Sequence, residues 1–111
     1  MIEKIILDYL SEKLNVPVRM EENPDIQGEY VIIEKTGSGS TNHLKRATVA
    51  IKSFAGSMYL AAELNEKVKS AMDEIVELDE VTRCELNSDY NYTDTSRKKC
   101  RYQAVFDITH Y

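Results

Sequence analysis

The chain has 111 residues, of which 42% are hydrophobic and 30% are charged, and its formal net charge at pH 7 is −5. This length and composition predict one globular domain spanning residues 1–111. The acidic balance argues against a general affinity for nucleic-acid phosphate, which depends on clustered Lys and Arg. No stretch of the sequence approaches the ~20 apolar residues of a membrane span. The two cysteines, Cys84 and Cys100, lack C-x-x-C spacing and are expected as free thiols.

The first half of the chain predicts one helix and three strands. Apolar residues recur at helical spacing over residues 2–14, and Asn15 and Pro17 end this helix. The segment "VPVRM" predicts a short edge strand, because Pro17 cannot donate to a ladder. Two further apolar segments, "EYVIIEK" and "RATVAIKSF", predict a β-hairpin.

The glycine-rich segment "KTGSGSTN" separates those two hairpin strands. A phosphate-binding loop needs G-x-x-x-x-G-K-[ST] between a strand and a helix, so that backbone N–H groups converge on the anion. Here the spacing is G-x-G, no Lys follows the second Gly, and a strand comes next. We therefore expect a flexible hairpin tip that becomes ordered only against a neighbouring subunit. Its mobile residues are Gly37, Ser38, Gly39, Ser40, Thr41 and Asn42.

The second half predicts one helix and a second hairpin. An apolar stripe runs from Met58 to about Glu77, with Ser57 as a plausible N-cap. Alternating residues over 83–92 and 101–109 predict two half-buried strands joined by the turn "TDTS". The whole chain is therefore expected as a single α+β domain of order α-β-β-β-α-β-β. Its sheet is mainly antiparallel, with two helices packed on one face.

The sequence offers no recognisable catalytic, cofactor-binding or metal site. His43 and His110 have no nearby Cys or Ser in a nucleophile turn, and no His, Cys and carboxylate cluster has metal-ligand spacing. The turn at Asp94 is typical of an Asx turn rather than a calcium loop. We expect a protein that is not an enzyme and that binds no cofactor or metal.

Charge is unevenly distributed along the chain. An acidic run, without a basic residue, follows the second helix: Asp73, Glu74, Glu77, Asp79 and Glu80. A basic run opens the last strand: Arg97, Lys98, Lys99 and Arg101. Both runs could be solvated or could pair weakly within the monomer. The alternative is a head-to-tail contact between subunits, which closes into a ring if the rotation permits.

Tyrosine is the second unevenly used residue type, with seven copies against two Phe and no Trp. Several lie in or beside the last hairpin, Tyr92 among them. They could be core residues whose hydroxyl groups reach water. Exposed tyrosines would instead suit a protein interface, so Tyr92 joins the acidic and basic runs as a candidate subunit contact.

The strings "YVIIEKTG", "YLAAELNEKVKSAM", "LNSDYNYTDT" and "CRYQAVFDIT" resemble the small tail-terminator proteins of bacteriophages and prophages of Gram-positive hosts. That family is similar to the lambdoid tail terminators, whose mixed α/β subunits form a hexameric ring on the last ring of the tail tube. The resemblance implies no catalytic residue. It implies a homo-oligomeric ring that stops tube growth and offers the surface on which the head docks.

The partners implied by the resemblance are other copies of the chain, the major tail tube protein and a head-completion or connector protein. DNA would pass through the ring without sequence-specific contacts, and no membrane is involved. The protein would assemble in the host cytoplasm and end in the head-proximal part of the virion tail. Two alternatives stay open: a phage head-completion or neck protein, and a small bacterial ligand-binding or regulatory α+β domain.

Overall fold

The computed structural model describes residues 1–22, 28–93 and 99–111, which form two helices, five strands and one 3₁₀ turn. The predicted order α-β-β-β-α-β-β and the α+β class are confirmed. In chain order the elements are α1 (Ile2–Lys13), β1 (Val18–Arg19), β2 (Tyr30–Thr41), β3 (Leu44–Ala55), α2 (Met58–Asp73), the 3₁₀ turn (Ile75–Glu77), β4 (Val81–Asn91) and β5 (Cys100–His110).

The five strands form one sheet in the order β1-β2-β3-β5-β4. The short strand β1 pairs with β2 in parallel, and every other neighbouring pair is antiparallel. The long non-local ladder joins β3 to β5, from Lys45 opposite His110 to Ala55 opposite Cys100. One end of the sheet therefore carries the β2–β3 turn and the start of β4, and we call it the turn end. The opposite end, where β5 begins and β4 finishes, is called the aromatic end.

Both helices pack on the same face of the sheet, as predicted. The main core joins apolar residues of α1 and α2, such as Leu10 and Val68, to strand residues such as Val49 and Phe106. These strand residues share one face because Val49 lies directly opposite Phe106 and side chains alternate along each strand. The other face carries no helix among the described residues, and it holds a small separate cluster of Tyr30, Ile32 and Phe54.

Helix α2 begins where it was predicted to begin but ends earlier than predicted. The Ser57 Oγ atom accepts a hydrogen bond from the backbone N–H of Leu60 at 3.2 Å, which confirms Ser57 as the N-cap. The helix finishes at Asp73, not at about Glu77 as predicted. Consecutive carboxylates are unfavourable at the negative end of the helix dipole. The chain instead tightens into the 3₁₀ turn, which buries Ile75 completely.

The prediction of an eight-residue loop over "KTGSGSTN" is wrong. Residues 37–41 continue β2 and pair with β3 up to Thr41 opposite Leu44. The turn is only two residues long, Asn42 and His43, whose φ angles of 51° and 70° are typical of a type I′ hairpin turn. Gly and Ser have low β-propensity, so the sequence pattern does not predict a strand here. Pairing with β3 stabilises the strand despite this low propensity. Ordering of this segment by a neighbouring subunit stays a prediction.

Replacing Gly39 by Val is expected to raise the free energy of unfolding by about 0.5–1 kcal/mol, because Gly is entropically costly inside a strand. An ideal Cβ atom at Gly39 meets nothing within 4 Å, and its φ angle is not positive. Urea denaturation of the variant and the parent measures the difference. The control is Gly28→Val, which is expected to destabilise because Gly28 has a φ angle of 79°. Equal stability of Gly39→Val and parent would contradict the strand assignment.

Candidate protein–protein contact surfaces

The acidic run forms one surface at the turn end. Asp73 closes α2, Glu74 caps it, Glu77 lies in the 3₁₀ turn, and Asp79 and Glu80 lead into β4. All five carboxylates are exposed. Within the described residues, Glu77 alone of these five has an ion pair, with its Oε1 atom 3.5 Å from Nζ of Lys13. This acidic surface therefore carries most of its charge uncompensated by the rest of the subunit.

The crowding of carboxylates is visible in two neighbouring groups. Burial, aided by Glu77 and Glu74, raises the pKa of Tyr9, whose hydroxyl donates to the carbonyl oxygen of Ala71 at 2.7 Å. Burial also raises the pKa of the Cys84 thiol to about 12, with nearby Asp73 among the carboxylates that add to the effect. Both shifts reflect the cost of placing a negative charge on a group that is partly buried and lies near carboxylates.

The aromatic end brings together Tyr92, Lys99 and Arg101, three of the predicted interface residues. The Arg101 guanidinium lies 4.3 Å from the ring centroid of Tyr92 and 5.5 Å from that of Phe54. Its Nε–H group donates to the carbonyl oxygen of Tyr92 at 2.9 Å. The Lys99 Nζ atom lies 4.5 Å from the ring centroid of Tyr30. The other two basic candidates, Arg97 and Lys98, lie outside the described residues.

Three further aromatic residues extend this cluster beyond the interface residues predicted from the sequence. Tyr30 and Phe54 stack with their centroids 4.6 Å apart and an interplanar angle of 9°. Tyr90 meets Tyr92 edge to face at 5.8 Å, which lengthens the row across four strands. The sequence contains one sign of this cluster: in "RATVAIKSF", Phe54 lies two residues after Lys52 and therefore on the same, polar face of the strand. A large aromatic on that face needs a partner, and Arg101 is one.

The acidic surface and the basic–aromatic cluster lie at opposite ends of the sheet. Strand β4 separates them and has 11 residues, which at ~3.3 Å per residue span roughly 36 Å. The Tyr111 N–H donates to the Glu80 carbonyl at one end, and the Tyr92 N–H donates to the Arg101 carbonyl at the other. The two charged surfaces therefore cannot neutralise each other within one subunit.

A second basic surface, absent from the sequence prediction, lies at the turn end. The hairpin residues 35–46 contain Lys35, Lys45 and Arg46 and no acidic residue. Lys35 lies 3.7 Å from Oε1 of Glu3. Lys45 and Arg46 are exposed and have no ion pair within the described chain. Their grouping becomes visible only when the glycine-rich segment is read as a strand, because the strand places both sides of the turn together.

Two ingredients of catalytic chemistry, a metal-ligand cluster and an activated thiol, are not found among the described residues. No group of three or more His, Cys, Asp or Glu side chains could hold a metal ion in residues 1–22, 28–93 and 99–111. With its pKa at about 12, Cys84 is a protonated thiol near neutral pH and a poor nucleophile. His43 lies in the exposed hairpin turn, and the nearly buried His110 ring contacts the Tyr111 carbonyl oxygen at 3.0 Å through Nδ1.

A surface groove with a volume of about 660 Å³ lies between the end of α1 and α2. Its walls include Leu14, Val16 and Leu64, and its rim carries charges of both signs. Neither described helix is long and apolar enough to cross a membrane. A scan against protein-family models finds no match, and no curated protein matches the chain in sequence.

The raised pKa of Cys84 predicts a loss of stability in alkali. The folded chain holds the thiol proton more tightly than the unfolded chain, whose thiol has a pKa near 9.0. The contribution of the protonated Cys84 thiol to the free energy of unfolding is therefore fully present below pH 9 and is lost as the pH rises toward about 12. One such proton gives a slope of at most ~1.4 kcal/mol per pH unit, and partial exposure of Cys84 reduces it.

Urea denaturation at pH 7 and pH 10.5 measures this effect in the parent and in Cys84→Ala. At pH 7 the difference between the two proteins reports lost packing alone. At pH 10.5 the parent is expected to have lost more of its free energy of unfolding than the variant. Parallel losses in the two proteins would show that Cys84 does not titrate as its surroundings indicate.

Proposed function

We propose that this chain is a non-catalytic assembly protein, a bacteriophage tail terminator that works as a ring of six copies. The observation that carries the proposal is the unpaired charge of the acidic surface: within the described residues four of its five carboxylates have no ion pair, and the Lys99–Arg101 cluster lies roughly 36 Å away along the 11-residue strand β4. Surfaces that cannot be neutralised within a subunit are suited to contacts with other molecules. Complementary charge sets orientation and partner choice in such contacts.

The acidic surface is the proposed contact with a neighbouring copy. Its carboxylates crowd the C-terminal end of α2, where the helix dipole disfavours negative charge by a few tenths of a kcal/mol per group. Cations from a neighbour would relieve this repulsion. The exposed apolar side chains of Val76 and Tyr111, 47% and 68% accessible, accompany the carboxylates at the same end. A surface that combines charge with exposed apolar groups is suited to a specific protein contact.

The aromatic end is the proposed contact with the last ring of the tail tube. Tyr and Arg, which form its cluster, are enriched in the energetically important parts of interfaces. The start of α2 adds Met58, Tyr59 and Leu60, which are 37%, 74% and 41% accessible. Met58 lies beside the cluster, since the Thr93 hydroxyl is 4.0 Å from its sulfur atom. Occupying the tube's terminal face removes the surface to which the next tube ring would add.

Reversing charge in the acidic surface is expected to weaken the ring. The variant Asp79→Lys/Glu80→Lys would place cations where cations of the neighbouring copy are attracted. Native mass spectrometry and sedimentation velocity over a range of concentrations, with and without the tail tube protein of the same genome, measure the fraction in rings. The expected result is a six-copy species for the parent and a shift toward monomer for the variant.

The matched control is Glu63→Lys/Glu66→Lys, which makes the same charge change in the middle of α2. Both control residues are exposed and pair with Lys67 and Lys69 inside their own helix. These exposed pairs contribute little to stability, so the control is expected to assemble as the parent does. A parent that stays monomeric at every concentration and on its tube would refute the proposed function.

Disrupting the aromatic end is expected to abolish tube capping while leaving the ring intact. In Tyr92→Ala/Arg101→Glu, the cation–π contact is lost and the charge at position 101 is reversed. Electron microscopy of tubes formed by co-expressed tail tube protein measures their length distribution. Parent protein should limit tube length, and the variant should allow continued growth. Lys67→Glu on the outer side of α2 is the control, and tubes capped equally by both variants would count against this assignment.

A further inference from the structure

The sheet has two open edges, on opposite sides of the molecule. The strand β1 covers only Val31 and Ile32 of β2, so among the described residues the outer edge of β2 has no ladder partner from residue 33 to residue 41. The outer edge of β4 likewise has no partner in the described chain. Open edges present unpaired N–H and C=O groups and are templates for pairing with another chain.

The directions of the two edge strands are compatible with side-by-side assembly. Strand β3 is antiparallel to β2, β5 is antiparallel to β3, and β4 is antiparallel to β5. Strand β4 therefore runs opposite to β2. When identical copies stand side by side in one orientation, as rotation in a ring requires, β2 of one copy faces β4 of the next as an antiparallel neighbour. The turn ends of the two copies then lie beside each other.

Charge complementarity supports the same arrangement. The β2 edge belongs to the hairpin that carries Lys45 and Arg46, both without an ion pair within the described chain. The β4 edge is preceded by Asp79 and Glu80, which also lack an ion pair there. Side-by-side copies would bring these cations and carboxylates together.

The two edges differ in how they are protected. Strand β4 has register shifts between Val81 and Arg83 and between Leu86 and Ser88, which leave a short regular stretch between them. Bulges of this kind limit pairing with unrelated strands. After its own irregularity at Lys35/Gly37, β2 is regular over residues 37–41, which carry no charge.

No positive φ angle and no tight contact within the subunit requires glycine at positions 37 and 39. Glycine in a strand often marks the close approach of another backbone.

We propose that neighbouring copies of this chain join by antiparallel strand pairing, residues 37–41 of β2 with residues 83–86, the regular stretch near the start of the neighbour's β4. This inference rests on the proposed ring and names its contact. A ladder of about four residues buries far less surface than the ~1,200–2,000 Å² of a standard interface. The flanking charge pairs and the backbone bonds act together, so the ring forms in a concentration-dependent way.

The alternating hydrogen-bond pattern identifies which backbone groups point outward. Thr41 and Leu44 flank the two-residue turn and form a hydrogen-bonded pair, as in hairpins of this kind. Counting back along the antiparallel ladder, Gly39 is again in a hydrogen-bonded pair with β3, whereas Ser38 and Ser40 are not. The N–H and C=O groups of Ser38 and Ser40 therefore face the open edge.

The variant Ser38→Pro/Ser40→Pro removes two outward N–H donors without touching the β2–β3 ladder. Proline is tolerated in edge strands whose N–H faces solvent, and the preceding glycines permit the extended backbone. The matched control, Ser38→Ala/Ser40→Ala, loses the hydroxyl groups and keeps both donors. Native mass spectrometry should show the half-assembly concentration rising about tenfold or more for the proline variant alone. Circular dichroism and urea denaturation show whether both variants fold.

A charge swap tests the same contact without altering the backbone. Lys45→Glu/Arg46→Glu should weaken the ring, and combining it with Asp79→Lys/Glu80→Lys should restore assembly. Lys99→Glu/Arg101→Glu, at the aromatic end, should leave the ring unchanged.

Two results would overturn the inference while the proposed ring stands. One is a ring in the folded proline variant with the concentration dependence of the alanine control. The other is rescue of the acidic-surface variant by Lys99→Glu/Arg101→Glu instead, which would establish an end-to-end arrangement. A parent that forms no ring, alone or on its tube, would refute both the function and this contact.

Discussion

The antiparallel ladder between β3 and β5 is the interaction on which the rest of the structure depends. It pairs 11 residues of each strand, from Lys45 opposite His110 to Ala55 opposite Cys100, and joins the two halves of the chain. Because the register is set here, Val49 and Phe106 reach the same face and complete one core with both helices. A slip of one residue would turn every buried side chain of one strand toward solvent.

The same ladder decides where charge lies on the surface. By placing β5 between β3 and β4, it sends the acidic run to one end of the sheet and Lys99 and Arg101 to the other. It also leaves β2 and β4 as edges that run in opposite directions. Charge separation and open antiparallel edges are both properties of a subunit that can repeat by rotation. The proposed ring depends on these two consequences of a single strand order.

Much of the fold could be predicted because its signals are local. Helical spacing over residues 2–14 and alternation in "RATVAIKSF" each reflect burial of one side of a single element. Ser57 was recognisable as a cap because a cap needs only the next helical turn. The candidate surfaces were found in part for the same reason, since runs of like charge are visible along the chain. Helix α2 ends earlier than its sequence pattern predicts, because the burial of Ile75 in a 3₁₀ turn depends on packing against other elements.

By itself, the sequence determined the type and order of the elements, the single α+β domain and the sign of each charged run, because these depend on neighbours within a few positions. Only the tertiary structure decided that Gly37 to Thr41 are a strand, because their weak propensity is overridden by pairing with β3. It alone placed Tyr30 and Phe54 with Arg101, and Lys45 and Arg46 on the same end as the acidic run. Those placements follow from strand order and register, which are contacts between distant segments, and no local pattern encodes them.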